Sequence, residues 1–211
     1  HTDYTLPRKL HDYVTDRFGG WPEKQVPNSP RLQRATDVFI NYVLAERDPA
    51  IGMLWFSEPD TSEHATGPHS PEVQEAVQFA DAQFGRVLDW LEASGRDADT
   101  NVIVTCDHGQ STIIEPVPLR ELLDAEGFAR PGEPGGVIIA GNGGSALFYV
   151  DGHDTAITDR LAAWLMGHEW AGPILASDRH PSIPGTLPAS ALGLEGPRTP
   201  DLLMSFAWRD E

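Results

Sequence analysis

The chain predicts an α/β fold with a mainly parallel sheet, and three observations carry that expectation. Two near-continuous apolar runs, 51–56 (IGMLWF) and 101–106 (NVIVTC), have the composition of strands buried on both faces. The stretch between them has helical periodicity, so strand, helix and strand follow one another as in a parallel crossover unit. Each apolar run is followed at once by a cluster of Asp and His. The carboxyl ends of strands are where open α/β sheets assemble their sites.

The elements follow in order. Residues 1–35 are mixed and polar, with turn-rich stretches at 18–22 (FGGWP) and 27–30 (PNSP). Residues 31–46 have helical spacing, with Leu32, Ala35, Phe39, Tyr42 and Val43 on one face. After the strand at 51–56, Ser70-Pro71-Glu72 marks a helix start: a cap, a proline in the first turn, then an acid at the positive end of the dipole. That helix runs to about Ser94 and stops at Gly95. Its stripe of Val73, Ala76, Val77, Ala80, Phe84, Val87, Leu88 and Leu91 reads as core packing. The strand at 101–106 comes next, then a short helix over 118–126 ended by Gly127. Strands at 137–140 and 145–150 are joined by Gly141-Asn142-Gly143-Gly144, a hairpin signal. A helix over 155–168 buries Ile157, Leu161, Trp164 and Leu165. Residues 171–200, rich in Pro and Gly, read as surface loop, and 201–207 as a last strand.

Composition bounds the function. The 211 residues suffice for one large domain or two small ones; no repeat or low-complexity linker divides them, and a single domain over 1–211 is expected. A net charge of −17 argues against nucleic acid or an anionic membrane as a main partner. It leaves room for an anionic substrate, because a bound metal reverses the local sign. The one cysteine, Cys106, excludes an internal disulfide and a cysteine-based zinc site. At the end of a buried strand it would be an inert small hydrophobe. No apolar run has the roughly 18 to 20 residues of a membrane span. The start, His1-Thr2-Asp3-Tyr4, has neither an initiator methionine nor a signal-peptide pattern, so a processed or partial chain is expected.

The chemistry lies in the two clusters. Asp60 and His64 are four residues apart, which on a helical turn places both side chains on one face. Asp107 and His108 precede Gly109, which lets the backbone turn sharply. Carboxylate and imidazole are ligands of zinc and similar ions. The plainer readings are a solvated pair for Asp60 and His64, a cap for Asp107 and a loop histidine for His108. Glu58 and Glu63 read as solvated acids, with orientation of an imidazole as the alternative. Asn142 reads as a turn residue. His1, His11, His69, His153, His168 and His180 read as surface or structural residues.

Together the clusters say more than either alone. Glu-Pro-Asp-x-x-x-His-x-x-Gly-Pro over 58–68, a capped helix, and a run ending in Asp-His-Gly resemble the alkaline phosphatase superfamily in its type I phosphodiesterase/nucleotide pyrophosphatase branch. The resembling core is Trp55 to Thr112, and looser similarity continues through Gly141–Gly144, Gly185-Thr186-Leu187-Pro188 and Arg198-Thr199-Pro200-Asp201. The resemblance implies a three-layer α/β/α sandwich with the site at the carboxyl edge of its sheet. It implies two divalent metal ions, one on Asp60 and His64, the other on Asp107 and His108. Zinc suits the ligands best, with manganese, iron and calcium as alternatives. It implies hydrolysis of a small-molecule phosphate ester, a phosphodiester or pyrophosphate, through a Thr or Ser nucleophile and a covalent phospho-enzyme. In the family that nucleophile and a further aspartate lie upstream of the matched core, and another histidine lies downstream in a His-Gly motif. No residue here matches them, with His153 and His180 as possible substitutes for the histidine. The chain is therefore expected to be a middle to C-terminal portion, with the nucleophile outside it. A phosphate mutase, a phosphonate or sulfate ester hydrolase, and a non-catalytic metal-binding module are the competing readings.

Overall fold

The computed structural model describes residues 5–208, which divide into two compact units on either side of the Ile114–Glu115 bond. The first unit is built from helices and irregular chain. Helix α1 spans Leu10–Phe18, α2 Ser29–Val38, α3 Asp60–Thr66 and α4 Pro71–Ala93. A stretch of π-helix, Phe39–Arg47, continues α2. The expected helix over 31–46 is therefore present, but its pitch changes at Phe39. Leu32, Thr36 and Ile40, at steps of four, take its buried line instead of the broader face expected.

Helix α4 follows its sequence signals closely. The Ser70 hydroxyl accepts the Val73 N–H at 3.2 Å and Pro71 opens the first turn. Val73, Ala76, Val87 and Leu91 are buried, whereas Val77 and Leu88 of the expected stripe face outward. The helix packs against α2 and α3. Arg86 reaches from it to Asp37 on α2 at 2.5 Å, and its other guanidinium nitrogen donates to Gln83.

The strands expected at 51–56 and 101–106 do not form. Both segments lie outside any helix or sheet, and Ile51 and Ile103 are 90% and 85% exposed. The physical reason is pairing. Apolar composition gives a segment the tendency to be buried, but a strand exists only when a neighbour takes its N–H and C=O groups. Among the described residues no segment pairs with either run. The Asp/His clusters consequently do not stand at the carboxyl edge of a sheet.

The second unit carries the sheet. Its strands are β1 (Val137–Asn142), β2 (Ser145–Val150), β3 (Ala171–Ala176), β4 (Leu187–Pro188) and β5 (Leu202–Phe206), in spatial order β1-β2-β5-β3-β4. The expected hairpin is β1–β2, turning at Gly143-Gly144, where Gly143 has a φ of +58°. So short a connection permits only antiparallel pairing. Strand β5 is antiparallel to both β2 and β3, and β3 pairs with β4 in parallel. The fold is α/β as expected, but the sheet is mixed rather than mainly parallel.

Residues 171–200, expected as loop, contain β3 and β4. Their Gly and Pro residues masked a short apolar run, Ile174-Leu175-Ala176, which is buried against β5. Gly172 serves that approach: a Cβ there would lie 2.9 Å from the Ser205 carbonyl oxygen. Helices α5 (Leu119–Ala125) and α6 (Thr155–Met166) close the core over the sheet. Leu123, Phe148, Leu161, Leu165, Leu202 and Met204 are wholly or almost wholly buried there. Trp164 meets Phe128, His168 and Trp170 edge-on at the border of this core. Among the described residues no helix is long and apolar enough to cross a membrane.

Candidate metal centre

Local structure positions the first cluster well. Glu58, just before α3, is buried, and its carboxylate accepts the Asn28 N–H at 2.6 Å and the Ser62 N–H at 3.1 Å. It satisfies one of the free donors in the first turn of α3. The Thr61 hydroxyl donates to the Ser57 carbonyl at 2.8 Å. Glu58 is thus neither the solvated acid nor the orienter of an imidazole that its sequence position suggested. It holds backbone, because the Pro59 turn folds its carboxylate over α3.

Asp60 and His64 occupy one face of α3, with Asp60 Oδ1 3.3 Å from His64 Nε2. The 107–110 segment comes to the same place. His108 Nε2 lies 4.0 Å from Asp60 Oδ1 and 3.4 Å from Asp107 Oδ2. His108 Nδ1 is 3.0 Å from the Gly109 carbonyl oxygen. All four side chains are about half exposed, and a small solute has open access to them. Gln110 joins them: its side-chain nitrogen is 3.0 Å from Asp60 Oδ1 and 3.3 Å from His64 Nε2. Sequence reading missed Gln110. Its only signal was its place two residues after His108.

The donor set fits a borderline divalent cation in kind, carboxylate oxygens beside imidazole nitrogens. The spacings are those of ion-paired and hydrogen-bonded partners. Among the described residues no group of three or more His, Cys, Asp or Glu is set out as a metal cage. Cys106, next to Asp107, is exposed rather than buried, because the run it ends is not part of a sheet.

A second polar cluster lies in the sheet-bearing unit. Asp201 is fully buried at the start of β5. One oxygen accepts the Val150 N–H at 2.7 Å, and the other faces His180 Nε2 at 2.7 Å and His153 Nδ1 at 2.8 Å. Arg179 approaches to 3.6 Å. Burial alone would push the Asp201 carboxyl up, but the Val150 N–H and the two histidines outweigh it and hold it below its ordinary value. His153 and His180, read from the sequence as surface or structural residues with a substitute ligand as the alternative, are hydrogen-bonding partners of Asp201. Asn142 ends β1, and its backbone carbonyl accepts the Ser145 hydroxyl. His1 lies outside the described residues.

Comparison with known proteins gives one family match, described as type I phosphodiesterase / nucleotide pyrophosphatase, over residues 2–209. Similar curated proteins include ectonucleotide pyrophosphatase/phosphodiesterase family member 7 of Mus musculus, 34% identical over 68 residues, which are 32% of this chain and 16% of that protein. Family member 1 of Mus musculus is 41% identical over 61 residues, 29% of this chain and 7% of that protein. A venom phosphodiesterase of Crotalus durissus collilineatus is 31% identical over 91 residues, 43% of this chain and 11% of that protein. The chain thus matches less than a fifth of the length of each of these relatives. No solved structure matches significantly.

Proposed function

We propose, for a chain that belongs to the type I phosphodiesterase/nucleotide pyrophosphatase family, that it forms part of a metal-dependent hydrolase of phosphodiester or pyrophosphate bonds. The observation that carries the reading is the approach of Asp107 and His108 to the Asp60–His64 pair, with His108 Nε2 4.0 Å from Asp60 Oδ1 across more than forty residues of sequence. In this reading Asp60 and His64 hold one divalent ion, and Asp107 and His108 hold a second, zinc being the best match to the ligands. Such ions polarise phosphoryl oxygens and offset their charge when bound.

The side chains have definite tasks in this scheme. Asp60 and Asp107 contribute negative charge, and His64 and His108 contribute neutral nitrogen donors that leave a net positive site once loaded. That local sign matters in a chain of net charge −17, which otherwise repels an anionic ester. The half-exposed setting admits a small substrate. The nucleophile is assigned to no serine or threonine of these 211 residues.

The test is zinc content after dialysis, for the chain and for Asp60→Ala and His108→Ala, alongside hydrolysis of bis-p-nitrophenyl phosphate with added zinc or manganese. The reading expects loss of bound metal in both variants. Unchanged stoichiometry in both would refute the ligand assignment.

A further inference from the structure

We draw no further inference here: the strongest candidate, the exposed apolar surface of segments 51–56 and 101–106 in the first unit, which includes Met53, Trp55, Ile103 and Val104, carries no proposal because nothing in the structure shows what covers it.

Discussion

Asp201 Oδ1 lies 2.7 Å from His180 Nε2, and both side chains are almost wholly shielded from water. The carboxylate draws together four pieces of chain: the end of β2 through the Val150 N–H, the turn at His153, the loop at Arg179 and His180, and the start of β5. A buried charge with this many partners is a fastening point. Removing the acceptor leaves a buried N–H and a buried imidazole without one.

Asp201→Ala should therefore lower the stability of the sheet-bearing unit by about 2–4 kcal/mol. Urea unfolding followed by the fluorescence of Trp164 and Trp170 would measure it. Asp201→Asn keeps a carbonyl acceptor and should lose less. A loss below about 0.5 kcal/mol in the alanine variant, the size of an ordinary surface substitution, would mean that the cluster does not fasten the sheet.

The same residue sets an acid limit. Its folded carboxyl is held below the ordinary 3.8. As pH falls, the unfolded chain takes up this proton first, so the contribution to stability is present above the ordinary value and lost as pH drops through the lowered one. Between about pH 5 and about pH 2 the parent should lose more stability than Asp201→Asn, which has no proton to gain. Superimposable acid profiles for the two proteins would contradict this sign.

Glu58 anchors the start of α3. With its carboxylate replaced in Glu58→Ala, the Asn28 and Ser62 amides lose their buried acceptor, at a cost of about 1–3 kcal/mol. Hydrogen exchange at Ser62 should accelerate while exchange at mid-α4 amides changes only with the global stability. If the proposed centre is correct, zinc affinity should fall as well, since Asp60 and His64 ride on α3. Protection at Ser62 equal to the parent's would disprove the anchoring role.

Gly136 is irreplaceable on steric grounds. A Cβ there would run into the Arg130 carbonyl oxygen and lie 2.9 Å from that of Glu133. Gly136→Ala must displace backbone and should cost about 2–3 kcal/mol. Gly141→Ala, with nothing within 4 Å of the new methyl group, serves as the control. Thermal melts that place both variants together would show that this turn yields easily.

Local rules carried much of the architecture. Ser70-Pro71 announced α4, the glycine pair announced the β1–β2 hairpin, the stop at Gly127 marked the end of α5, and apolar spacing announced α6, because caps, turns and amphipathic faces are interactions within a few residues. The four candidate ligands were also legible, as residue types and as a pair one helical turn apart. Their roles in binding were not, since a ligand set is a statement about space.

By itself, then, the sequence determined α2, α4, α5 and α6 but not α1, which lies in the stretch read as mixed and polar, and it determined the hairpin, the α/β class and the identity of the Asp/His clusters. Tertiary structure decided what those elements met. It left 51–56 and 101–106 without partners, made the sheet mixed, and brought Gln110 to Asp60 across fifty residues and Asp201 to Val150 across fifty-one. The division follows range: a cap or a turn is closed by its neighbours, whereas a strand or a buried carboxylate is satisfied only by a distant partner, and no local pattern names that partner.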